Sequence, residues 1–381
     1  MHQGQARVRY LDGLRGLAIL LVMGWHFFGR IYWMHLPYGM GFTWLPTVGF
    51  GWAGVNLFFL ISGYVIFLTL ERCTGFVDFM LRRWIRLFPA MLVGSVIVFV
   101  ASQLLAKEMP GHRHGFGDLV PGLTLINPIY FEKYLGLRLR SLDGAFWSLY
   151  VEAAFYLVIG SLFFLVGWAR ALAALIALWI GVELLPSIAR MFDLYWLLRP
   201  PYRFLRWAGV GYFGWFAAGA LFQKAQATKD RGLFVMGAVI GLVAAVTTTM
   251  PDHMGRPMRL ALAGCVLLFA AALTWRPLQR LLETRVLLFV GFVSYPLYLV
   301  HSALGVGLIA WIAARVPLPD IVPPLLVIAL MLALAWVIAA WAEPAVARAL
   351  KPVVQRLRIL FRVRSGPRVP DPVPASIQIV A

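Results

Sequence analysis

Four polar side chains, His26, Asn56, Glu152 and His301, lie deep inside otherwise apolar stretches. An imidazole can take and return a proton near neutral pH, and a carboxylate beside it can hold its tautomer or stabilise its cation. A second group is cationic. The segment FMLRRWIRLFP (79–89) carries Arg82, Arg83 and Arg86. Arg83 and Arg86 are three apart and share a helix face, and guanidinium forks suit phosphates. The same cluster would also serve as a plain membrane-surface anchor, and spacing alone does not separate the two readings. Metal chemistry is not expected. The two cysteines, Cys73 and Cys265, stand apart, and no His/Cys cluster has ligand spacing.

The elements that must position these residues follow from composition. Of the 381 residues 61% are hydrophobic and 13% charged, about half the charged share of a soluble domain. Mean hydropathy is +0.81. These values exclude a soluble two-domain enzyme and a disordered chain. A net charge of +18 would suggest nucleic acid on a soluble protein. On a membrane protein it first reflects basic cytoplasmic loops, and no nucleic-acid partner is expected. Ten runs approach the ~20 apolar residues a membrane helix needs: 11–33, 48–70, 86–107, 145–167, 170–187, 207–226, 232–250, 258–275, 286–313 and 322–343. No alternating strands support a β-barrel. The expected fold is an all-α polytopic membrane bundle of about ten helices. Residues 1–346 form the membrane domain, and 347–381 form a basic, Pro-rich, partly disordered cytoplasmic tail. The first run lacks a small-x-small cleavage site and is read as a retained helix.

With the N-terminus inside, the inner segments hold 20 Lys and Arg against 13 outside, seven of the 20 in the tail. Both termini are therefore expected in the cytoplasm. Along the first helix Asp12, Arg15, His26 and Arg30 fall near 0°, 300°, 320° and 0° at about 100° per residue. They form a stripe about 60° wide, which could glue helices together or line a cavity. At about 1.5 Å per residue, His26, Asn56, Glu152 and His301 all fall in the outer half of a core about 30 Å thick. Four polar groups from four helices at one depth suggest a site. Glu183 lies at a similar depth but near a helix end, as a snorkelling residue or a second-rank candidate. A polar zone near one face and a cationic mouth at the other suggest passage of a solute, or transfer of a group from an inner phosphorylated donor to an outer acceptor.

Five segments resemble the integral membrane acyltransferases of acyltransferase family 3: YLDGLRGLAILLVMGWHFF (10–28), GVNLFFLISGYVI (54–66), LRRWIRLFPA (81–90), WSLYVEAAFYL (147–157) and SYPLYLVHS (294–302). Glu343-Pro344 resembles the end of the family's last helix. The resemblance implies ten helices with both termini inside. It also implies transfer of an acyl group, usually acetyl from acetyl-CoA, to a hydroxyl of an extracytoplasmic glycan or glycolipid, in a multi-pass protein of the plasma (inner) membrane. His26 matches the family's first-helix histidine. Arg83 and Arg86 match its RxxR pair, with Arg82 beside them. Trp147, Ser148 and Glu152 match its WSLxxE motif, and Tyr298 and His301 match its YLxxH-type segment. Two departures stand out. Asn56 replaces an aspartate of many members, and Ala153 replaces a second acidic residue after Glu152.

On this reading CoA phosphates sit on Arg82, Arg83 and Arg86. His26 acts as base or as acyl carrier, and Glu152 holds its tautomer. Ser148, one turn before Glu152, could hydrogen-bond its carboxylate. Asp12 and Arg15 are structural or line the CoA entry. Trp147 stacks on a sugar or anchors at the interface. The outer segment 108–144, with His112, Arg113, His114, Arg138 and Arg140, binds the acceptor or is a solvated loop. The competing class is a transporter or flippase of a polar lipid or solute. Repeated halves and paired broken helices, which would favour it, are not visible.

Overall fold

The computed structural model describes residues 8–111, 113–249 and 255–361. His112 and the side chain of Arg30 lie outside the described residues, as does the tail from residue 362. In hydrocarbon a backbone has no water to bond, so it must satisfy its own N–H and C=O groups. The apolar runs accordingly form helices, and no strand occurs among the described residues. In chain order the helices are α1 (Arg9–Phe28), α2 (Pro46–Phe50), α3 (Ala53–Leu70), α4 (Phe76–Leu104), α5 (Leu119–Thr124) and α6 (Pro128–Leu135). Then come α7 (Trp147–Val166), α8 (Trp168–Met191), α9 (Tyr195–Trp207), α10 (Phe213–Thr228), α11 (Arg231–Thr247) and α12 (Gly255–Thr274). The last five are α13 (Arg276–Leu282), α14 (Arg285–Val300), α15 (Ala303–Ala313), α16 (Val322–Val337) and α17 (Glu343–Leu360).

Each of the ten apolar runs contains a helix. Seven described helices, counting 322–360 as one, are long and apolar enough to cross a bilayer. The number is eight if α13 and α14, bent by 65°, are one span. The remaining helices are shorter: α10 has 16 residues, α11 has 17 and α15 has 11. Three expectations change. The run 286–313 is not one helix but breaks at His301-Ser302. The run 322–343 does not stop at Glu343; it passes through a π-helical turn at Ile338–Ala342 into α17, so the first part of the expected tail is helix. Finally, α4 begins ten residues before the expected start of that span, so the arginine cluster lies inside a helix rather than at its entry.

Helix α3 packs between α1 and α10, and α14 lies along the opposite side of α1. The α1–α14 crossing is backbone on backbone. A Cβ at Gly16 would strike the Leu287 carbonyl, and one at Gly291 would strike the Asp12 carbonyl. Small residues are what permit such approach between membrane helices. This crossing fixes where the ends of both helices meet. Replacing Gly291 with Leu should force α1 and α14 apart and destabilise the bundle by about 1–3 kcal/mol. A lowered thermal midpoint in detergent relative to the parent protein is the expected readout; an unchanged midpoint would contradict the packing.

Candidate active site

His26 closes the last turn of α1, and His301 follows the last residue of α14. The crossing below them brings the rings together. His301 Nε2 lies 3.1 Å from His26 Nδ1, with ring centroids 4.8 Å apart. The remaining partners fix the protons. His301 Nδ1 faces the Leu297 and Tyr298 carbonyls at 3.1 and 3.0 Å. Carbonyls only accept, so this nitrogen donates, and Nε2 of the neutral ring is left as an acceptor. His26 Nδ1 faces that acceptor and the Val22 carbonyl at 2.8 Å, so it also donates. A neutral His26 then carries its lone pair on Nε2, which has no hydrogen-bond partner among the described residues. The assignment follows from the network, since protons are not seen directly.

The helix break at His301-Ser302 has its own support. Asp143, 1% exposed, caps the short turn at 144–146 through the Ala145 amide and caps α15 through the Ala303 amide, both at 2.7 Å. Ser302 Oγ bonds Tyr32 OH at 3.2 Å, and the Tyr32 ring lies 5.7 Å from that of His26. Asp143 and Tyr32 are functional candidates that sequence reasoning missed. Asp143 stands in a polar loop with no periodicity to mark it, and its partner is 160 residues away.

Below the histidines a cavity of about 840 Å³, part of it open to solvent, runs between α1, α3, α4, α7 and α14. Ser148, Glu152 and Tyr156 descend one face of α7 along its wall at i, i+4 spacing, about 12 Å in all. Ser148 Oγ bonds Tyr298 OH at 2.7 Å, and Tyr298 OH donates to the Ala145 carbonyl at 2.9 Å. Tyr298 lines the cavity, and its ring lies 5.6 Å from that of His301. At the other end the cavity is lined by Arg15, Arg83 and Arg86. Arg83 donates to Thr69 Oγ1 and lies over the rings of Phe79 and Tyr156, while its buried Nε has no partner. Arg86 lies over Tyr295 and 3.4 Å from Glu343. A buried donor without a partner is costly.

Several expected groupings are not formed. Glu152 does not hold His26; Ser62 Oγ donates to its Oε1 at 2.7 Å, and Tyr156 OH donates to the same oxygen. The place beside His26 is taken by His301 because α14, not α7, touches α1 at that level. Ser148 likewise bonds Tyr298 rather than Glu152. Arg82 is not in the cavity wall. It points to the other side of α4, where it and Arg358 of α17 pair with buried Asp78 at 3.1 and 3.3 Å. Asn56 is fully buried with both amide atoms unpartnered, and it does not line the cavity. Asp12 pairs with Arg15 at 2.8 Å. Trp147 packs inside an aromatic cluster with Trp52, Phe59 and Tyr212. Glu183 pairs with Arg206 at 3.2 Å.

The outer segment 108–144 is built rather than loose. Asp118 accepts from the Arg140 amide at 2.8 Å, from His114 at 3.0 Å and from the Gly115 amide at 3.2 Å. Burial alone would raise its carboxyl, but these donors and the Arg140 guanidinium hold it below its ordinary value.

The helical membrane protein thus holds an interior cavity with arginines at one end and Ser148 and Tyr298 at the other, while His26 and His301 lie next to Tyr298 but outside the cavity lining. Residues 8–340 match the family described as "Acyltransferase domain", and the chain belongs to that family, acyltransferase family 3. It is similar to peptidoglycan O-acetyltransferase OatA of Listeria monocytogenes, at 28% identity over 47% of this chain and 28% of that protein. It is also similar to a putative O-acetyltransferase of Staphylococcus aureus (strain COL), at 30% over 40% of this chain and 24% of the relative. Nodulation protein 10 of Rhizobium leguminosarum bv. viciae is 29% identical over 44% of this chain and 47% of its own length. The matched stretches thus span less than half of each of these relatives. No solved structure matches the chain significantly.

Because the Asp118 carboxyl is depressed on folding, its contribution is fully present above its unfolded value near 4 and is lost as pH falls through the lower folded value. Hydrogen exchange of residues 113–140 should stay slow from neutral pH down to about 4 and quicken at lower pH. Asp118→Asn should make it fast at every pH. Equal protection in that variant would remove Asp118 as the anchor.

Proposed function

We propose that the chain is a membrane-embedded O-acyltransferase of the plasma membrane. It moves an acyl group, acetyl by default, from cytoplasmic acyl-CoA to a hydroxyl of an extracytoplasmic glycan or glycolipid. The observation that carries this reading is a cavity joining Arg15, Arg83 and Arg86 to Tyr298 and Ser148, with the His26–His301 pair outside its lining and next to Tyr298. Family membership and the names of the relatives support acyl transfer over transport of a solute or lipid. The bias of Lys and Arg supports a cytoplasmic arginine end, with both termini on that side.

The nucleotide phosphates of the donor bind the guanidinium groups of Arg83 and Arg86. Arg82, held by Asp78, shapes the mouth without touching the phosphates. The thioester arm runs along the apolar wall of Val55, Phe58 and Leu149. Glu152 Oε2, free of the bonds made by Oε1, accepts from an amide N–H of that arm. At the far end His26 Nε2 takes the proton of the acceptor hydroxyl as its oxygen attacks the thioester carbonyl. The new C–O bond forms, the C–S bond breaks, and the proton passes to the leaving thiolate. His301 is a positioning residue that holds the His26 tautomer.

His26→Ala should lower acetyl transfer to glycan by at least ~10²-fold while acetyl-CoA binding persists. His301→Leu should lower kcat with little change in the KM for acetyl-CoA. Labelled acetyl-CoA and isolated envelope glycan provide the assay, and full turnover by the His26 variant would end the assignment.

Replacing Arg83 and Arg86 together with Gln should weaken acetyl-CoA binding by about 2–4 kcal/mol, two charge-assisted contacts at the usual magnitude. Calorimetry on the detergent-solubilised protein checks this. Unchanged affinity would return both residues to surface anchoring.

A further inference from the structure

Helix α9 is unlike the others. It joins α8 to α10 at the end of the bundle opposite the arginine mouth, and it takes no part in the cavity. At about 100° per residue from Tyr195, Leu205, Leu198 and Tyr202 fall near 280°, 300° and 340°. Tyr202 and Leu205 pack on the core. Arg199 and Arg203, one turn apart, fall near 40° and 80°. Trp196, Phe204 and Leu197 continue round to about 200°. The outward face therefore grades from two cations to an apolar edge.

That edge is uncovered: Trp196 is 75% exposed and Leu197 51%. In water such exposure forfeits hydrophobic stabilisation. In a bilayer interface it is the favoured pattern, with aromatic and aliphatic side chains in the boundary and arginines among the headgroups. The helix is also tethered. The outer-segment helix α6 clamps it through Tyr130 OH, which donates to the Phe204 carbonyl at 3.0 Å, and Asn127 Nδ2, which donates to the Trp207 carbonyl at 3.3 Å. The third arginine, Arg206, is committed to Glu183 and Thr249. Arg199 and Arg203 have no carboxylate partner among the described residues. They lie only over the rings of Tyr195 and Trp207, at 5.6 and 5.0 Å.

We infer that α9 lies in the bilayer–water interface at this end of the bundle and that Arg199 and Arg203 bind the phosphate of an anionic phospholipid headgroup. Two guanidiniums one turn apart with no protein anion provide the charge, and the Trp196–Phe204–Leu197 edge takes the acyl region beside it.

Native mass spectrometry of the full chain in detergent, titrated with phosphatidylglycerol, tests this. R199Q/R203Q should weaken the tightest phosphatidylglycerol site roughly 30-fold, the effect of two surface cations. R199K/R203K, which keeps the charge, should retain that site. K351Q/R356Q, at the other end of the bundle, should leave it unchanged. Phosphatidylcholine should bind more weakly and be indifferent to all three changes, and inorganic phosphate should not displace the anionic lipid. The inference is overturned if R199Q/R203Q binds phosphatidylglycerol like the parent. It is equally overturned if the Lys variant loses the site, if phosphatidylcholine binds as well, or if free phosphate competes at equal concentration. Acyl transfer in detergent is a separate readout, so failure here does not touch the proposed activity.

Discussion

Where α1 crosses α14 no side chain separates the two backbones, because Gly16 and Gly291 leave room for direct contact. Membrane helices gain little from the hydrophobic effect against one another, so van der Waals contact of this kind must hold them together. It also sets a lever. From the crossing, α1 continues ten residues to His26 and α14 ten residues to His301. Two nearly rigid rods that touch at one level bring their ends together at another. The 3.1 Å histidine contact is thus a consequence of two glycines a turn or more away. The break after His301 ends the α14 rod at that contact, and Asp143 satisfies the α15 amide that the break would otherwise orphan.

The polar groups divide according to whether the protein completes them. Asp78 with Arg82 and Arg358, and Glu183 with Arg206, are closed ion pairs that tie helices together. Arg83 Nε and the open oxygen of Glu152 are not completed. Both belong to cavity-lining residues, on the α4 and α7 walls. In a low-dielectric interior an uncompleted donor is expensive, and Arg83 Nε shares that cost with other buried atoms that have no partner among the described residues, Arg358 Nε and Gln223 Oε1 among them. Asn56 is another such group: it is buried, away from the cavity and unpartnered among the described residues, and its environment gives no physical account of its amide.

Much of this was legible in the sequence, and the failures have definite causes. Composition identified the solvent, and each apolar run contains a helix, although only seven or eight of the described helices are long and apolar enough to cross a bilayer. Depth arithmetic placed His26, Asn56, Glu152 and His301 at one level, and two of the four meet. What a period of 3.6 does not contain is the rotation of one helix relative to another. Glu152 therefore lies along the cavity wall below the histidines, where it faces Ser62 and Tyr156. Arg82 shows the same limit on one helix: it differs from Arg83 by a single residue and about 100°, which sends one to Asp78 and the other to the cavity. The break at His301-Ser302 left no mark because Pro296 lies five residues earlier and YLVHSALG reads as continuous helix.

The net charge of +18 also divides unevenly once partners are considered. The positive-inside bias accounts for the arginine mouth and for α17, whose Arg358 closes onto Asp78. It does not account for arginines at the opposite end, where it predicts few. Arg140 is used by Asp118, Arg206 by Glu183, and Arg190 by the Pro186 carbonyl. Of the other arginines at that end, Arg199 and Arg203 stand one turn apart on a strongly two-faced helix, beside its exposed aromatic edge. A residual pair of cations against the expected bias is a sharper signal than the total charge. The total reflects topology, whereas the residue reflects what that surface must hold.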